Sequence, residues 1–115
     1  MELNTSVISE CEEEGLSLVS FYDSEKEYGF SLSRDAESEC TELMVADQSC
    51  YHPAEMELVL SRNILKVTLP AGTIDQEDGG DSFMIHFQAD QQTQVDLVRA
   101  LKVIFKGKKG LEIKG

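Results

Sequence analysis

Apolar side chains recur at every second position through most of this chain, and that alternation restricts its fold more than any other feature. Residues 16–22, 28–33 and 43–46 each alternate apolar side chains with polar or small ones. Successive side chains of a β-strand point to opposite faces, so each segment is predicted to be a strand. The polar residues 23–27, between the first two strands, predict a hairpin loop.

A second hairpin is predicted at residues 56–69, where apolar residues alternate in both arms. Its short connection contains Asn63, which tolerates a positive φ. Pro70 and Gly72 then end the second arm, because neither residue continues a regular strand easily. Residues 83–87 show the last strong alternation and predict a further strand.

The period of the pattern changes after Asp90. Apolar residues repeat at helical spacing over residues 95–105, and Asp90 is a favourable residue to cap the start of a helix. Gly107 and Gly110 follow as signals for its end. Residues 111–113 are compatible either with a short strand or with a frayed end.

A run of strands followed by one helix predicts an α+β fold. The short connections favour a mostly antiparallel β-sheet, and the C-terminal α-helix is expected to cover one face of it. Residues 1–115 contain no internal repeat and no proline-rich linker, so they are predicted to form a single domain.

Acidic residues are concentrated in the first half of the chain. The first sixty residues contain fifteen acidic and two basic side chains, whereas the remainder contains seven acidic and eight basic ones. A strongly negative surface attracts a basic partner and repels nucleic acid and anionic membrane. The predicted partner is therefore a basic protein, with no nucleic acid and no membrane; a surface that only confers solubility is the alternative.

Catalytic and metal-binding patterns are weak. His52 and His86 belong to no local catalytic signature, and the three cysteines lack zinc spacing. Residues 75–81 resemble a calcium loop superficially, but Gly79 stands at the fifth place, and the twelfth, where an EF-hand has Glu, holds His86. We therefore predict no catalytic residue, no metal and no cofactor.

Cysteine usage and the first residues suggest a compartment. The chain begins without a basic region or an apolar run, and no apolar stretch approaches the ~20 residues of a membrane span. Cysteines that are few and odd in number are typical of reduced thiols, and nothing in the sequence favours the alternative, a Cys40–Cys50 bridge. A cytoplasmic location is expected.

Three patches beside predicted strands are candidates for partner binding. Two are acidic, and the third mixes acidic, amide and aromatic side chains, a combination that suits interface anchors such as Tyr51. The patches consist of Glu10, Glu12, Glu13 and Glu14; of Asp75, Glu77, Asp78 and Asp81; and of Asp47, Gln48, Tyr51 and His52. For each of them, an ordinary solvated loop is the alternative.

The order of segments also resembles a known family. Residues 28–34 (Tyr-Gly-Phe-Ser-Leu-Ser-Arg), the pair Asp47-Gln48 followed by Tyr51, residues 57–67, and a terminal helix ending in Ile-Phe are similar to the immunity protein ten family of bacterial polymorphic toxin systems. The resemblance spans roughly residues 16–106 and depends on the pattern of strands together with a few polar residues.

This resemblance implies an antidote: a protein without enzymatic activity that binds a cognate toxin domain and blocks it in the cytoplasm. Such a toxin is a nuclease or an enzyme that modifies nucleotides or proteins. Nucleases are commonly basic because they bind phosphate, so an acidic inhibitor would mimic the charge of their substrate. The alternative is a structural or regulatory binding module, including a homodimer that pairs exposed strand edges. A small enzyme that depends on two carboxylates ranks last.

Overall fold

A computed structural model describes residues 1–5, 7–13, 16–35, 41–46, 49–53, 55–75 and 80–114, with only the backbone described for residues 7–13. The described residues form ten strands and one helix. In chain order they are β1 (Glu2–Asn4), β2 (Val7–Glu13), β3 (Leu16–Asp23), β4 (Tyr28–Asp35), β5 (Glu42–Ala46), β6 (Ser49–Tyr51), β7 (Glu57–Leu60), β8 (Ile64–Thr68), β9 (Ser82–His86), α1 (Gln91–Ile104) and β10 (Leu111–Ile113).

Strands β2 to β6 form one sheet in sequential order, which we call the meander sheet. Every neighbouring pair is antiparallel, and the register places Val19 opposite Leu32 and Leu32 opposite Leu43. Residues directly opposite each other share a face, and these three are buried together with Phe21, Phe30 and Val45. The alternation of the sequence therefore gives this sheet one buried inner face.

The other five strands form a second sheet, which we call the split sheet because its two edges come from the two ends of the chain. Its order is β1-β9-β8-β7-β10. The three central strands are antiparallel, whereas β1 runs parallel to β9 and β10 runs parallel to β7. The Met1 ammonium donates to the carbonyl oxygen of Ser82 at 2.6 Å, and the Lys114 amide donates to that of Leu60 at 2.7 Å.

The two sheets enclose a common core. Phe21 of the meander sheet packs on Phe87 with ring centroids 5.6 Å apart, and Phe30 packs on Phe83 at 5.1 Å. Each such ring pair contributes roughly 0.5–1.5 kcal/mol beyond the area it buries. The helix adds fully buried leucines to the same core, including Leu97.

Helix α1 begins and ends at capped residues. The Asp90 carboxylate accepts from the backbone amide of Thr93 at 2.8 Å, which satisfies one of the free donors of the first turn. At the other end, Gly107 adopts a φ of 77°, a conformation that favours glycine. Within the part of the chain that the structure describes, no helix has both the length and the apolar character that crossing a bilayer requires.

The predicted α+β class is confirmed, but the strands are divided between two sheets instead of forming one. The predicted hairpins and the helix are present. Residues 111–113, left open between strand and frayed end, form β10. Strand β1 and the parallel pairing of β10 with β7 were not predicted, because three residues are too few to show an alternation.

Candidate protein-binding face

The acidic excess of the sequence lies mainly in the segment of the chain that contains the meander sheet. Residues 7–51, which span the whole meander sheet, contain twelve acidic and two basic side chains, a formal charge of −10. Both basic groups have partners within the protein, since Arg34 donates to carbonyl oxygens at the end of α1 and Lys26 donates to that of Glu2. The segment that contains the meander sheet is therefore the acidic part of the chain, and its strands contribute six acidic side chains and one basic side chain.

Two of the three predicted patches flank this sheet at opposite edges. Glu10, Glu12 and Glu13 belong to the edge strand β2, whereas Tyr51 and His52 lie at the end of the other edge strand, β6. Strands lie about 4.8 Å apart, so the two edges are separated by roughly 19 Å. The strands that carry described residues of the two patches therefore lie at opposite edges of the sheet. Predicted residues outside the described part of the chain are Glu14, Asp47 and Gln48.

Tyr51 occupies an inner-face position of the meander sheet. It pairs with Leu43 and packs, half-buried, against the common core. Its neighbours Cys50 and His52 are exposed. Only the part of the Tyr51 side chain that is not packed on the core is open to a partner, so its role as an anchor stays a prediction.

At the β5–β6 edge, the carboxylate of Glu42 lies between a thiol and an imidazole. His52 Nε2 is 3.6 Å from Glu42 Oε2, and Cys50 Sγ is 3.9 Å from Glu42 Oε1. All three side chains are reached by solvent. Such contacts between exposed groups are weak and fasten the edge strand to its neighbour without enclosing a pocket.

The third predicted patch belongs to the split sheet, between β8 and β9. Asp75 is exposed, and Glu77 and Asp78 lie outside the described residues. The Asp81 carboxylate accepts from the backbone amides of Ile74 and Gly72, both at 2.8 Å, and these bonds lower the pKa of Asp81. Asp81 therefore holds its own loop in shape. No group of side chains suited to a metal ion occurs among the described residues.

A cleft on the described surface lies elsewhere. It has a volume of about 640 Å³ and lies where the end of β8 meets the segments before β7 and β10. Its lining combines the buried Leu69 and Phe105 with charges of both signs, including Glu57 and Lys109. None of the predicted site residues that the structure describes lines this cleft.

The outer face of the meander sheet contains, in its strands β3, β4 and β5, none of the residues that the sequence marked as candidates for partner binding. Its central positions are uncharged and alternate with the buried residues of β3, β4 and β5. Leu16 and Tyr22 are each 40% exposed. We call this surface the neutral face, and its described members are Leu16, Leu18, Ser20, Tyr22, Gly29, Ser31, Ser33, Met44 and Cys50.

A signal for this face was present in the sequence. Residues 16–22 and 28–33 contain no charged side chain, although the turn between them contains four. In a chain with so many acids, uncharged positions on the solvent side of two strands are unusual. Comparison with protein-family models, with curated proteins and with solved structures found no match. Function is therefore inferred from the residues themselves.

Proposed function

We propose that this protein is an antitoxin-type immunity protein, which binds a cognate basic toxin domain in the bacterial cytoplasm and neutralises it without a reaction of its own. The observation that carries the proposal is the formal charge of −10 on residues 7–51, the segment of the chain that contains the meander sheet. The resemblance of residues 16–106 to the immunity protein ten family supports the same function.

Charge of this size acts mainly on the rate of encounter. An acidic sheet attracts a cationic domain over distances of about one Debye length, roughly 8 Å at physiological salt. Such steering raises association rates, and complementary charge also disfavours wrong partners. Toxin domains that cleave nucleic acid are cationic because they bind phosphate. An acidic inhibitor competes for the same charged surface.

Self-association through the meander sheet is disfavoured by the same charges. Two copies would bring like-charged sheets together, and repulsion opposes that contact. The edge strand β2 includes Glu10, Glu12 and Glu13, and charged residues on edge strands are a common protection against pairing with another chain. A basic partner is therefore favoured over a homodimer.

Co-expression tests the proposal. The gene for this chain is expressed together with the toxin domain encoded beside it, and growth is compared with that of cells that express the toxin alone. We expect rescue of growth, and a purified complex of the two proteins in size-exclusion chromatography. Toxicity that persists at high levels of this chain, together with the absence of a complex, would contradict the proposal.

A further inference from the structure

We infer that the neutral face is the surface that docks onto the toxin domain. This inference rests on the proposed function and names its binding site. The occupant is a protein surface with an uncharged centre and a surrounding ring of lysine and arginine residues. The predicted acidic patches then lie beside the contact instead of forming its centre.

The composition of the face supports this assignment. Three serines, Ser20, Ser31 and Ser33, occupy its central strands, and Ser20 lies directly opposite Ser31 in the register. Leu16 and Tyr22 flank them as the larger exposed apolar residues. Small hydroxyl side chains offer hydrogen bonds without hindering close approach, and exposed apolar residues supply area that a partner can bury.

Acidic residues surround the face at the ends of its strands. Glu25 and Glu27 lie in the turn between β3 and β4, Asp35 ends β4, and Glu42 begins β5. A charge-depleted centre with a polar rim is the usual anatomy of a protein interface. Because the rim is acidic, its complement is a basic surface, which is the partner that the proposed function requires.

The size of the face suits the centre of a specific contact. The four strands β3 to β6 contain 24 residues, which at about 4.8 Å between strands and about 3.3 Å along each strand cover a plane of roughly 380 Å². This plane is about half of the ~800 Å² that each partner buries in an interface of standard size, and the acidic rim adds to it. The backbone beneath is held by antiparallel pairing and by the buried inner-face residues of β3, β4 and β5, so little conformational entropy is lost on binding.

One substitution at the centre tests the assignment. Ser31→Arg introduces bulk and positive charge where a basic partner approaches, and Thr68→Arg makes the same change in charge at an exposed position of β8 in the split sheet. We expect Ser31→Arg to raise the Kd for the toxin domain by roughly a hundredfold and Thr68→Arg to change it by no more than about threefold. Circular dichroism and the melting temperature establish that both variants are folded.

A second pair of variants avoids any disturbance of the sheet. The double substitution Leu16→Ala and Tyr22→Ala removes only partly exposed atoms, and Val95→Ala, on α1 and 48% exposed, is its control. We expect a roughly tenfold or greater loss of affinity for the double variant and none for the control. Unchanged affinity of Ser31→Arg and of the double variant, with binding by the wild type intact, would overturn the assignment and leave the proposed function standing. Absence of binding by the wild type would instead overturn the proposed function.

Discussion

Arg34, on β4, donates from its guanidinium to the carbonyl oxygen of Ile104, the last residue of α1, at 3.1 Å. The same nitrogen lies 2.5 Å from the carbonyl oxygen of Lys106. These carbonyls belong to the end of the helix, where no intrahelical partner is available and where the helix dipole favours a cation. A strand of the meander sheet thus caps a helix that lies 70 residues later in the chain.

Replacement of Arg34 by methionine keeps the apolar stem and removes the donors. We expect a loss of about 1–2 kcal/mol in the free energy of unfolding, since charge-assisted hydrogen bonds to backbone carbonyls are lost. Urea denaturation measures it. Arg62→Met, at an exposed arginine in the turn between β7 and β8, is the matched control, and equal losses in the two variants would contradict the capping role.

Replacement of Gly110 by alanine should displace β10. Gly110 has a φ of 112°, and a Cβ there would overlap the carbonyl oxygen of Met56. Gly107→Ala is the control, because its φ of 77° is also unfavourable but no atom lies near the added carbon. We expect about 1–2 kcal/mol for Gly107→Ala and a clearly larger loss for Gly110→Ala.

Amide hydrogen exchange tests whether Gly110→Ala displaces β10. The Lys114 amide is bonded to the carbonyl oxygen of Leu60 only when β10 is paired with β7, so Gly110→Ala should accelerate its exchange more than Gly107→Ala does. Equal protection of the Lys114 amide in the two variants would show that β10 tolerates the added carbon.

The hydrogen bonds of Asp23 are expected to make the free energy of unfolding depend on pH. Its side chain is 1% exposed and accepts from the amides of Asn4, Lys26 and Glu25, and the first of these bonds joins β1 to the turn of the meander sheet. The hydrogen bonds from the Asn4 and Lys26 amides lower the pKa of Asp23 below its ordinary value of 3.8. The unfolded chain therefore takes up this proton at a higher pH than the folded protein does.

The sign of the effect follows from this order. The contribution of Asp23 is fully present above the unfolded pKa and is lost as the pH falls through 3.8 and then through the lower folded value. Asp23→Asn should be less stable than the wild type at neutral pH, and the difference should narrow in acid. Urea denaturation at a series of pH values measures both proteins, and a difference that stays constant with pH would contradict this role.

Local signals predicted several of these elements. Asp90 and the apolar face that follows predicted the helix and its first residue, and the alternation at residues 16–22 and 28–33 predicted two strands of the meander sheet. The helical pattern and the strand alternation both depend only on residues that are close together in the sequence. The division into two sheets depends on distant pairings, and the contact of Arg34 with Ile104 has no local signature in the sequence.

The candidate site was less predictable, for a related reason. Residue type alone marked Asp81 as a surface contact, but the structure directs its carboxylate to the amides of its own loop. Conversely, Ser20 and Ser31 are unremarkable residues in the sequence. They become candidates for partner binding only because the register places them side by side on the neutral face.

The association rate of this protein with the toxin domain encoded beside it, measured as a function of ionic strength, tests the account most directly. If the acidic meander sheet steers a basic partner, the rate should fall by about tenfold or more between roughly 20 and 500 mM salt, while the dissociation rate changes much less. Replacement of Glu25 and Glu27 by glutamine should flatten that dependence. An association rate that is the same at all salt concentrations would contradict the account.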